Sequence, residues 1–148
     1  MKLRPRSRRY VFQVFAQLLL YRPKGAGPEL SPAYAALFPP LLHPALWERK
    51  GNVPALAKLM RAYLRAAPGF IVQGGHLQPL LGVFQKLLAS KATEAHAFGL
   101  LCGVFECVPL DAFSQYLPTV FQLALTRMQT NNAARRVARP RSRAACRG

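Results

Sequence analysis

The chain has 148 residues, half of them apolar, which is enough for one domain with a real core and too apolar for a disordered protein. Its net charge of +16 is uneven: residues 1–9 carry five basic groups, residues 131–148 carry six arginines, and neither end has an acid. The middle, 10–130, balances ten basic against five acidic residues, so the high isoelectric point does not by itself make the molecule a nucleic-acid binder.

The basic start followed by YVFQVFAQLLL imitates the n- and h-regions of a signal peptide, and its acid-free arginines imitate a transit peptide. Gln13 and Gln17 interrupt the apolar run, no A-x-A site follows, and the run is too short to span a bilayer. The spacing instead predicts an amphipathic helix over Tyr10–Tyr21, with Val11, Val14, Phe15, Leu18 and Leu19 as its stripe. It stops before Arg22-Pro23, because the residue before a proline is pushed out of the helical region. Residues 23–30 read as a loop.

Ser31-Pro32 is a helix start, and the run Ala33–Glu48 is expected to break or kink at Phe38-Pro39-Pro40 and again near Pro44. Gly51 stops it and Asn52 caps the next helix, Val53–Ala66, whose apolar face is Val53, Leu56, Met60, Tyr63 and Leu64. Residues 67–75 read as a loop carrying the apolar patch Phe70-Ile71-Val72. Leu77–Ser90 is the plainest amphipathic helix, with Leu77, Leu80, Leu81, Phe84, Leu87 and Leu88 on one face and Pro79 in its first turn. Such a helix must bury its stripe, and the helices on either side, Val53–Ala66 and Glu94–Val108, are expected to supply the cover.

Thr93 caps the next helix, with Glu94 at the positive end of its dipole and a stripe of Phe98, Leu101, Cys102, Phe105 and Val108. The last clear helix, Phe113–Gln129, carries Phe113, Tyr116, Leu117, Val120, Phe121, Ala124 and Met128. About six helices and no strand define an all-α class, and the short connections predict antiparallel helix pairs. Pro40, Pro79 and Pro118 stand 39 residues apart, which suggests a two-helix repeat of the HEAT type, a HEAT-type α-solenoid; an ordinary helical bundle is the plain alternative. The organisation expected is a disordered basic tail at 1–9, a helical region at 10–130, and a disordered Arg-rich tail at 131–148.

No catalytic arrangement emerges. His43, His76 and His96 lie in different segments, and Glu29, Glu48, Glu94, Glu106 and Asp111 form no pair on one helix face. Cys102 and Cys107 sit about 140° apart on a helix and cannot chelate together. With Cys146 they read as buried reduced thiols. No enzyme activity, cofactor or metal is expected. Trp47 is a packing residue or a binding hot spot, and Lys58, Arg61 and Arg65 form a basic row, either solvated or facing an acidic partner. The arginine-rich ends, Arg4–Arg9 and Arg135–Arg147, offer a competing function: non-specific nucleic-acid binding without stacking aromatics.

The runs YAALFPPLLHPALWERKGNVPALAKLMRAY over Tyr34–Tyr63 and LLGVFQKLLASKA over Leu80–Ala92 add a different kind of information. They resemble the C-terminal half of the exportins that return importin alpha to the cytoplasm, in the importin-beta (karyopherin) superfamily. YVFQVFAQLLL, Gln115-Tyr116 and Arg127-Met128-Gln129 extend the likeness over Tyr10 to Gln129; residues 1–9 and those beyond Gln129 do not share it. The resemblance implies a HEAT superhelix that binds Ran-GTP and importin alpha, moves between nucleus and cytoplasm, catalyses nothing and does not enter membranes. It identifies no partner-binding residue. A slice of a solenoid is also expected to expose apolar stripes on its end helices and to self-associate.

Overall fold

The computed structural model describes the backbone of residues 5–21 and 30–138, with side chains over 9–21 and 30–131. Among these residues every regular element is helical. The first helix, α1, spans Pro5–Leu20, starting five residues before the expected Tyr10, with Pro5 at a position where its missing N–H has no helical partner to lose. Its inward face is Ala16 and Leu19, flanked by half-buried Phe12 and Phe15. Val14 and Leu18, expected in the stripe, are more than half exposed. Helical backbone therefore reaches into the basic start; the remainder of that tail, residues 1–4, lies outside the described residues, as does the expected loop up to Glu29.

The helix α2 runs Pro32–Leu41 straight through Pro39 and Pro40, and the chain breaks only at His43, before α3 at Pro44–Trp47. The two prolines lie near the C-terminal end of α2, so little helix follows for a kink to displace, though each withholds an N–H from the carbonyl four residues back. Packing also favours this course: Phe38 is wholly buried, with ring centroids 4.9 Å from Tyr63, 5.8 Å from Phe70 and 5.2 Å from His76. The His43 Nδ1 caps α3 by accepting from the Ala45 N–H at 3.3 Å, a cap the sequence does not advertise.

The expected loop at 67–75 contains a short helix, α5, over Pro68–Gln73, which buries Ile71 and ends at Gly74-Gly75, where Gly75 has φ of 67°. It follows α4 (Val53–Ala66) and precedes α6 (Leu77–Leu88) and α7 (Glu94–Cys107). The closest backbone packing joins α1 to α4, α4 to α7, and α6 to α7. The cover of α6 thus comes from α7, with α3 touching it, whereas α4 packs chiefly between α1 and α7. The inserted α5 separates α4 from α6, which explains why these two are not the closest neighbours.

The stripe of α7 also differs from expectation. Ala97, Leu100, Leu101, Val104 and Gly103 are its buried residues, while Cys102 and Phe105 are exposed. Small residues face the crossing because the helices come close: a Cβ on Gly103 would lie 3.3 Å from Arg61 Cγ and 3.4 Å from Leu64 Cδ1. Thr93 stands at the start of α7 but does not cap it with its side chain. Its hydroxyl donates back to the carbonyls of Leu87 (2.6 Å) and Ser90 (3.2 Å), closing the α6–α7 corner.

α4 and α7 begin 41 residues apart, at Val53 and Glu94, and α6 and the last helix begin 40 apart, at Leu77 and Leu117. These intervals match the HEAT period, and the fold is an α-solenoid of antiparallel helix pairs. Pro79 and Pro118 both occupy first turns, but Pro40 is the penultimate residue of α2, so the three prolines do not share one register.

Residues up to Phe113 form one compact unit, closing with α8 (Leu110–Phe113), where Phe113 is buried edge-on to Phe105 at 5.1 Å. The second unit begins with a 3-10 turn, Ser114–Tyr116, and continues as α9, Leu117–Ala138. The expected single helix from Phe113 is therefore two, because Pro118 favours a fresh start. Val120 is buried, and Phe121, Leu125 and Met128 are exposed along one row of α9. The remainder of the C-terminal tail, 139–148, lies outside the described residues.

Candidate partner-binding face

Among the described residues, α4 is the most enclosed helix. Val53, Ala55, Leu56, Ala57, Leu59, Met60, Ala62, Tyr63 and Leu64 are all buried. What remains open is one ridge, Pro54, Lys58, Arg61 and Arg65, spaced i, i+4, i+7, i+11. Three of its four residues are cations, so the sequence-level basic row is the open edge of the central helix.

The three cations differ in their settings. Lys58 is exposed. Arg65 pairs with Glu106 of α7, Nη2 to Oε2 at 3.4 Å, with both side chains about half exposed. An exposed pair of this kind contributes little, roughly 0–1 kcal/mol. Arg61 lies over Gly103 with its Nε buried and without a hydrogen-bond partner. A Cβ at position 103 would press on the Arg61 stem, 3.3 Å from Cγ, so the stem would have to give slightly. Next to this seam, burial pushes the Cys107 thiol up, the Glu106 carboxylate adds to the shift, and Arg65 and Arg61 oppose it. Cys107 is half-buried and Cys102 is exposed, so the expectation of buried thiols fails for Cys102; Cys146 lies outside the described residues.

Other residues singled out by the sequence are placed as follows. Trp47 is buried, and its indole N–H donates to the Leu41 carbonyl at 2.9 Å, so it packs the α2–α3 corner. His43 caps α3, His76 lies against Phe38 and Phe70, and His96 sits on α7, so the structure does not bring them together. Glu48 and Glu106 are each paired to a lysine or arginine on another helix. Among the described residues, no three His, Cys, Asp or Glu side chains gather as a metal would need. No described helix is long and apolar enough to cross a membrane.

A stack of helix pairs with a 40-residue period, one enclosed helix and a cationic ridge defines a segment of a HEAT-type solenoid. Comparison with known proteins narrows the class. The family described as CAS/CSE protein, C-terminus, matches residues 8–139, ten residues past the end of the likeness read from the sequence. The chain belongs to this CAS/CSE family. It is 42% identical to Exportin-2 of Xenopus laevis and 41% identical to that of Homo sapiens, each over 128 residues. Those matches cover 85% of this chain and 13% of each relative. Among solved structures, the exportin Cse1 in its cargo-free, cytoplasmic state matches with a TM-score of 0.71 at 32% identity, over 82% of this chain and 12% of that one. The chain thus spans about an eighth of the relatives it matches.

Proposed function

We propose that this chain is a segment of a nuclear export receptor that acts by binding, with no catalytic step and no cofactor. Its partners in this reading are importin alpha and the GTP form of Ran, and its place is the nucleus and the cytoplasm. The observation that carries the reading is the 41–42% identity over 128 residues to proteins named Exportin-2, along a continuous stretch of solenoid. An α-solenoid supports such a role because stacked helix pairs present an extended surface and flex without local unfolding. The helical region 10–130 is the part assigned to binding. The arginine-rich ends are assigned no separate function.

The test is a pull-down with this chain as bait, offering importin alpha with Ran loaded with GTP or GDP. Capture of importin alpha that requires Ran-GTP supports the reading. Capture of neither, together with salt-sensitive retention of arbitrary RNA, contradicts it.

A further inference from the structure

We propose that the Lys58–Arg61–Arg65 ridge of α4 is a docking surface for an acidic segment of a partner protein. The inference goes beyond the transport reading and does not depend on it. α4 packs between α1 and α7 and buries nine of its fourteen residues, and among the described residues its exposed positions Pro54, Lys58 and Arg65 all lie on this ridge.

Charge complementarity fixes the kind of partner. Three cations line the ridge, and among the described residues one carboxylate, Glu106, answers them through Arg65. Lys58 and Arg61 have no carboxylate partner among the described residues. The arginine at 61 also costs something where it stands. Its Nε is buried and unpartnered, an unfavourable setting for a donor, while an apolar side chain of similar length would fill the same seam without that cost. Its stem is held over Gly103, so the guanidinium end is placed before any partner arrives. Pre-placed cations lose less freedom on binding than free ones.

Spacing favours a protein segment over nucleic acid. The three cations rise by about 4.5 and 6 Å along the helix, steps that carboxylates at i, i+3 and i+7 of a facing helix repeat. No aromatic stands on the ridge to stack a base.

The experiment is fluorescence anisotropy on the full chain, at about 0.15 M ionic strength, with a labelled helical peptide carrying glutamates at i, i+3 and i+7. Replacing Lys58, Arg61 and Arg65 together by Gln is expected to weaken binding at least about tenfold, or ~1.4 kcal/mol. Replacing the six C-terminal arginines, 135 to 147, by Gln is expected to leave affinity within about threefold, because binding is assigned to the α4 ridge. Arg61→Met separates binding from folding: the melting temperature should hold or rise as the unpartnered donor disappears, while affinity falls. The proposal is overturned if the triple variant binds as tightly as the wild type, or if the loss follows the tail variant. A fall in melting temperature for Arg61→Met, or an RNA oligonucleotide losing affinity by the same factor as the peptide, would overturn it too.

Discussion

The Tyr63 phenol donates to the backbone carbonyl of Tyr34 at 3.0 Å, tying α4 to α2 across 29 residues of sequence. Tyr63 is buried beneath Phe38, and Tyr34 in turn meets Phe15 of α1 edge-on at 6.2 Å, so the bond stands where three helices meet. Removing the hydroxyl in Tyr63→Phe should cost about 1 kcal/mol at neutral pH, read from urea unfolding.

The same phenol should make stability fall in alkali. Burial, with a smaller contribution from Tyr34, pushes Tyr63 from 10.0 up to about 12. Between these values the unfolded chain gives up a proton that the folded chain keeps, so the unfolded state binds fewer protons and stability declines as pH rises. The contribution is complete below pH 10 and is lost as pH climbs through 12. Tyr63→Phe should have the shallower decline in that window; an identical decline would place the titration elsewhere.

Phe38 is the hub of the aromatic cluster and holds α2 in register despite its two prolines. Phe38→Ala should cost about 3–5 kcal/mol in thermal or urea unfolding. A cost under about 1 kcal/mol would mean that the Pro39-Pro40 turn is held by something other than this ring.

Thr93 separates two readings of one residue. As an ordinary N-cap it would tolerate aspartate, which is as good a cap. As the donor to the Leu87 and Ser90 carbonyls it would not, because a carboxylate would face two acceptors. Thr93→Asp is therefore expected to destabilise by more than about 1 kcal/mol, Thr93→Val by about 1 kcal/mol, and Thr93→Ser least. Stabilisation by aspartate would restore the capping role.

The outer face of α1 carries Tyr10, Val14 and Leu18, all more than half exposed. Self-association through this stripe is the expected behaviour of the chain in solution. Light scattering should show a mass that grows with concentration, and the double variant Val14→Glu, Leu18→Glu should reduce it. A wild-type mass fixed at one chain would contradict the expectation.

Periodicity made the helices legible because each had to hide one apolar side. It misled where size was mistaken for burial. On α7 the bulky Phe105 and the thiol of Cys102 face out while Gly103 and Ala97 face in, and at Gly103 the approach of Arg61 and Leu64 leaves little room for a side chain. Pro39-Pro40 misled for a related reason: local geometry argued for a break, and the packing of Phe38 outweighed it. The candidate face was half legible. The row Lys58, Arg61, Arg65 could be read from spacing alone, but its position on the open edge of α4 needed the neighbours. One signal could have found its α7 partner. Arg65 and Glu106 are 41 residues apart, the interval that separates the starts of α4 and α7, so equivalent positions of successive repeats lie side by side.

If residues 10–130 are a working stretch of export-receptor solenoid, they should function inside a full-length relative. The most direct measurement replaces the matching stretch of Exportin-2 by these residues and asks whether the chimera captures importin alpha in the presence of Ran-GTP. Capture that depends on Ran-GTP is the expected result. A chimera that melts cooperatively with full helical signal, yet captures neither partner, would contradict it.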